Sequence, residues 1–83
     1  MANSLHDPRY KRLIAMIVSA RKDAGLTQRD VAARLKRQPS YIGKLEKLER
    51  RIDLLELVDI LEAIEVKSPA FISEFLGEIK KRR

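Results

Sequence analysis

The stretch that decides the fold is residues 28–46, QRDVAARLKRQPSYIGKLE. Val31, Ala32 and Leu35 fall on one helical stripe, Ile42 and Leu45 on another, and the polar run Lys36-Arg37-Gln38-Pro39-Ser40 separates them. Two short amphipathic helices around a tight turn follow, a helix-turn-helix whose facing apolar stripes fix the angle between its members. Ser40, Tyr41, Gly43, Lys44 and Lys47 are left pointing outward from the second helix. That face is polar and basic, and it suits a groove lined with phosphates.

Working outward, all three prolines stand where helices begin. Asp7-Pro8, Gln38-Pro39 and Ser68-Pro69 each place a polar capping residue before a proline, which fits the first helical position because its missing N–H costs nothing there. Thr27 with Asp30, and Asp53 with Glu56, have the spacing of capping boxes. Gly25 is placed to end the first helix in a left-handed conformation. The expectation is an all-α bundle of five helices and no strands. The first helix, about 8–24, turns Tyr10, Leu13, Ile14, Ile17 and Val18 to the core. The fourth, about 54–64, carries Leu54, Leu55, Leu57, Val58, Leu61 and Ile64, apolar around so much of its surface that it is expected to be enclosed. The last runs about 69–81, and residues 1–6 and 80–83 are expected to fray.

Eighty-three residues make one small domain, 1–83, able to close a single core but too short for a separate catalytic domain. The chain has no Cys and one His, His6, which leaves no disulfide framework, thiolate metal site or cysteine nucleophile. A reducing, cytoplasmic setting fits, since no apolar run approaches the ~20 residues that cross a bilayer and no secretory signal opens the chain. The pairs Asp53/Glu56 and Asp59/Glu62 suit capping and solvation, and no His, Cys or Gly-rich loop converges on them. Neither catalysis, a metal, a cofactor nor a small-molecule ligand is expected.

The net charge of +6 matters less than its distribution. Residues 34–51 hold seven basic and two acidic side chains, whereas 52–79 hold one basic and seven acidic. The tail Lys80-Lys81-Arg82-Arg83 adds four more cations. The most basic internal segment therefore coincides with the second helix of the motif and the loop after it, as expected if one face meets DNA and another does not.

The run 21–46, with Gly25-Leu26-Thr27-Gln28, Ala32, Ile42 and Glu46 in register, resembles the phage repressor and Cro type of helix-turn-helix domain, the XRE family. The resemblance extends over about 10–76 and includes the small controller proteins of restriction-modification systems. It implies a five-helix, repressor-like bundle and a role for particular positions. Pro39, Ser40 and Lys44 match the positions that reach base edges in the major groove. Lys44 is suited to guanine O6 and N7, Ser40 to an undemanding polar contact and Pro39 to a thymine methyl. Gln28, Gln38, Tyr41, Lys47, Arg37, Arg50 and Arg51 are expected at phosphates, with Lys36 nearby; Gln38 has a plain helix-capping role as alternative, and Tyr41 a place against the core edge. Arg21 and Glu46 match an ion pair that holds the recognition helix to the body, here expected at intermediate burial.

Two positions depart from the family pattern, which has Gly where this chain has Lys36 and often Gly where it has Leu48. Either a non-Gly residue takes the left-handed cap, or the geometry differs and Leu48 extends the recognition helix by a turn. The last helix carries Phe71, Ile72, Phe75, Leu76 and Ile79, a stripe wider than one core contact needs, and the resemblance implies a homodimer closed there. The resulting expectation is a dimeric, sequence-specific regulator of transcription, prokaryotic or phage-encoded, on a two-fold symmetric double-stranded operator. The competing reading is a protein-interaction module, such as an antitoxin that binds DNA mainly with a partner.

Overall fold

The computed structural model describes residues 4–81. A short 3-10 turn, Ser4–His6, leads into five helices: α1 (Pro8–Asp23), α2 (Gln28–Arg34), α3 (Pro39–Glu46), α4 (Leu54–Ala63) and α5 (Ser68–Lys81). There is no strand among the described residues. Of the ends expected to fray, Ser4–His6 forms the turn and Lys80 and Lys81 continue α5, while residues 1–3 and 82–83 lie outside the described residues.

Local chemistry sets most of the helix starts. The Asp7 carboxylate accepts from the Arg9 N–H at 2.8 Å, with Pro8 at the first position of α1. Both capping boxes form, Thr27 with Asp30 before α2 and Asp53 with Glu56 before α4, so each cap satisfies otherwise orphaned N–H groups. Two expectations need correcting. Gln38 occupies the cap position of α3 but its side chain makes no capping bond. Ser68 is the first residue of α5 rather than the residue before it.

Four helices end alike. Gly25, Lys36, Leu48 and Glu65 have φ of 74°, 59°, 63° and 61°, in the left-handed region. The N–H of the next residue in each case reaches back five residues, from Leu26 to Arg21, Arg37 to Ala32, Glu49 to Lys44 and Val66 to Leu61, at 2.8–3.1 Å. This is the Schellman closure, normally built on glycine. Both departures at Lys36 and Leu48 therefore resolve in one way: the side chain takes the left-handed position, and Leu48 stops α3 instead of extending it.

The core gathers Ile14, Met16 and Ile17 of α1, Val31 and Ala32 of α2, Tyr41, Ile42 and Leu45 of α3, Leu57, Ile60 and Leu61 of α4, and Ile64 and Phe71. Helix α2 packs chiefly on α3, and α1 lies against both α3 and α5. The expectation that α4 is enclosed holds for one face only. Leu57, Ile60, Leu61 and Ile64 are buried at helical spacing, but Leu54 and Leu55, in the first turn, are 65% and 74% exposed. Phe71 is likewise corrected from interface to core, being 5% exposed. Ile72 and Phe75 are half-buried against the core, Ile79 is half-buried, and Leu76 is exposed.

Candidate nucleic-acid interface

The outward face of α3 is open. Pro39, Ser40 and Lys44 are exposed, and so are Lys36, Arg37, Gln38, Lys47 and Arg51 around them. The side chains of Ser40, Lys44, Lys47 and Arg51 enter no hydrogen bond or ion pair among the described residues, so their donors remain available to an external acceptor.

Behind that face, one carboxylate locks three elements together. Glu46, at the end of α3, receives Arg21 Nε at 2.6 Å on Oε2, and both Arg21 Nη2 at 2.9 Å and Gln28 Nε2 at 2.8 Å on Oε1. Arg21 Nη1 also donates to the Leu26 carbonyl at 2.8 Å, which ties the α1–α2 turn into the same knot. The paired side chains are each 10% exposed, at the buried edge of the intermediate range expected. Both carboxylate oxygens and both ends of the guanidinium are used, the condition under which a buried ion pair is tolerated. Gln28, expected at a phosphate, spends one amide hydrogen on Glu46 and keeps the other. A Cβ at Gly43 would meet only Gln28 Oε1, at 3.4 Å, an ordinary contact with the end of a flexible side chain.

A second knot surrounds Tyr41, which is 9% exposed. Its hydroxyl donates to Glu56 Oε2 at 2.9 Å, an inward bond in place of the phosphate contact expected of it. Arg50 Nη1 approaches the same Glu56 oxygen at 2.9 Å and donates to the Arg51 carbonyl at 3.0 Å. The guanidiniums of Arg37 and Arg50 lie over the Tyr41 ring, 4.5 and 4.8 Å from its centroid. Burial and then the bond to Glu56 raise the Tyr41 hydroxyl to about 12. Burial alone would raise the Glu56 carboxyl, but donation by the Asp53 N–H, Tyr41 and Arg50 outweighs it and holds the group below its ordinary value. The loop after α3 is further fixed by Tyr10, whose hydroxyl donates to the Arg50 carbonyl and accepts from the Ile52 N–H, both at 3.1 Å.

Glu56, Tyr10 and Arg34 did not emerge from sequence as site-shaping residues. Glu56 was legible as a cap, but its contact with Tyr41 spans fifteen residues and no local spacing signals it. Arg34, an exposed residue of α2, donates to the Ala63 carbonyl at 2.6 Å and so covers the C-terminal end of α4. No group of His, Cys, Asp and Glu among the described residues has the arrangement of a metal site. None of their helices is long and apolar enough to cross a membrane.

With that geometry in place, comparison with known proteins defines the class. The helix-turn-helix family model HTH_3 matches residues 17–72, and the chain belongs to that family. An XRE-family like protein from Pseudomonas syringae pv. tomato str. DC3000 is similar at 36% identity and a TM-score of 0.85, over 90% of this chain and 92% of its own. The wild-type restriction-modification controller protein C.Esp1396I is similar at 25% identity and a TM-score of 0.81, over 92% of this chain and 99% of its own. The C.Esp1396I tetramer in complex with its natural 35 base-pair operator shares the fold at 24% identity and a TM-score of 0.79, over 89% and 97%. No curated protein matches the chain.

Proposed function

We propose that this chain is a dimeric, sequence-specific DNA-binding regulator of transcription that acts as a repressor or as a restriction-modification controller. The observation that carries the reading is the face of α3. A short helix presents Pro39, Ser40 and Lys44 to solvent, is braced from behind by the Arg21–Glu46–Gln28 knot, and is ringed by Arg37, Lys47, Arg50 and Arg51. Pro39, Ser40 and Lys44 read base edges. Gln28, Gln38, Arg37, Lys47, Arg50 and Arg51 meet phosphates and supply affinity with little sequence preference. The bound C.Esp1396I tetramer supports DNA as the partner, since this chain shares that protein's fold.

A two-fold symmetric pair sets two copies of α3 in successive major grooves, roughly 34 Å apart. The surface for it has to be apolar and uncovered. Among the described residues, Leu54 and Leu55 on α4 and Leu76 on α5 are the large hydrophobics left exposed, and α4 and α5 touch each other. The dimer is therefore assigned to this surface, with Ile72, Phe75 and Ile79 bordering it from within and Phe71 retained by the core. The test is selection of bound duplexes from a randomised pool at near-physiological salt. Enrichment of a two-fold symmetric site with half-sites one turn apart supports the reading. Binding without enrichment moves the chain to a partner-dependent module.

A further inference from the structure

We propose that Tyr41 is a positioning residue that presents Arg37 and Arg50 to the DNA backbone as a matched pair, rather than a residue that touches DNA. The inference rests on the DNA-binding reading above and assigns the mechanism of its phosphate clamp. Arg37 lies two residues before Pro39, the start of α3, and Arg50 four residues after Glu46, its end, so the two belong to different connections. Left alone, each would be a long, freely rotating side chain on a surface loop. Both guanidiniums instead lie over one ring, within 5 Å of its centroid. A planar guanidinium stacked on an aromatic face keeps its N–H edge for a phosphate while losing most of its rotational freedom before binding. The clamp is thus ordered in advance of docking, which removes part of the cost that DNA binding would otherwise carry.

The ring can act as a fixed platform because it is itself anchored. Tyr41 belongs to the buried core, and its hydroxyl is held by Glu56 from the first turn of α4. Glu56 in turn draws Arg50 by one nitrogen, Nη1, while Nε and Nη2 of Arg50 make no hydrogen bond or ion pair among the described residues. The side chain of Arg37 makes no hydrogen bond or ion pair among them. The cationic edges are therefore free although the ring planes are held. This arrangement accounts for three facts together: a tyrosine on the recognition helix whose hydroxyl turns inward, an acidic residue beside a basic interface, and two loop arginines meeting over a third residue.

The test is a double-mutant cycle read by binding to a fluorescently labelled duplex of arbitrary sequence across a salt series, with a thermal melt of every variant to confirm folding. Phosphate contacts operate on any sequence, so no operator is required. Tyr41→Leu keeps an apolar core side chain and removes the platform. It should weaken binding ~5- to 30-fold and make the salt dependence shallower by about one phosphate or more. Tyr41→Phe keeps the ring in the core and loses only the inward bond to Glu56, so binding should stay within about threefold of wild type. In the Tyr41→Leu background, Arg37→Ala and Arg50→Ala should each cost less than in the wild type. Additive losses, or an unchanged salt slope in Tyr41→Leu despite a lower melting point, would reduce Tyr41 to a core residue and overturn the proposal. A large loss in Tyr41→Phe with the ring in place would overturn it as well, by returning the hydroxyl to direct contact. Wild-type protein that binds no duplex would instead remove the DNA-binding reading itself, and the clamp with it.

Discussion

Lys36, Leu48 and Glu65 hold a backbone conformation that costs an L-residue about 1 kcal/mol and a glycine almost nothing. Leu48 is half-buried against the core, which offsets its strain, and Lys36 adds a charge beside the candidate interface. Glu65 has neither compensation: its ion pair with Arg34 is 3.8 Å long and its side chain 83% exposed, so little is lost with it. Glu65→Gly should therefore stabilise the fold by about 1 kcal/mol, seen as a rise of ~4 to 8 °C in a thermal melt. A lower melting point would mean that the pair with Arg34 matters more than the left-handed strain. The other residue with a large stake is Arg21. Arg21→Ala leaves the Glu46 carboxylate buried with only Gln28 beside it and should cost ~3 to 5 kcal/mol, whereas exposed, unpaired Lys47→Ala should cost less than ~0.5. Equal shifts in the two melts would deny the pair its structural role.

At the scale of elements, the helices were legible because their signals are local. Asp7 before Pro8, the Thr27/Asp30 and Asp53/Glu56 boxes, and Gly25 after α1 act within a few residues and could be read from spacing alone. What spacing could not show was which face of an apolar helix finds a partner. Leu54, Leu55, Leu57 and Val58 look alike in sequence, yet only Leu57 of the four is buried, because the rest of α4 aims one stripe of Leu57, Ile60, Leu61 and Ile64 at the core. The glycine rule for helix ends failed at Glu65 for a related reason. The closure there is marked by Leu61 and Val66, an apolar pair five apart, and not by the residue at the turn. Glu56 shows both sides, being a visible cap and an invisible tether. Its folded pKa is depressed, so its stabilising contribution is present above the ordinary carboxylate value, about 4.3, and is lost as pH falls through the folded value. Glu56→Gln can still accept from the Asp53 N–H but loses the charged pair with Arg50. Urea melts at a series of pH values should show wild type more stable near neutrality and the gap to Glu56→Gln narrowing as pH falls below the ordinary carboxylate value and through the depressed folded one. A gap that stays constant would show that the charge contributes nothing.

Across the whole molecule, charge and exposed apolar surface divide the labour. The segment 34–51 is basic and contains α3, while 52–79 is acidic and carries α4 and α5 with their uncovered leucines. An acidic, leucine-bearing side is poorly suited to a polyanion and well suited to a second copy, which would cover the leucines while leaving both copies of α3 outward. One substitution tests the proposed division. Leu55 is 74% exposed and Tyr41, Glu46 and Lys44 lie on a different helix, so Leu55→Glu should leave the thermal melt of the isolated fold and its weak, salt-sensitive DNA binding unchanged. Sedimentation should then give a dimer for wild type and a monomer for the variant, because an unpaired carboxylate buried at a two-fold contact is introduced twice. With the dimer gone, one half-site must hold the protein alone, and affinity for a symmetric operator should fall far more than affinity for a single half-site. A variant that still sediments as a dimer would move the contact away from α4, and Leu76→Glu on α5 would then locate it.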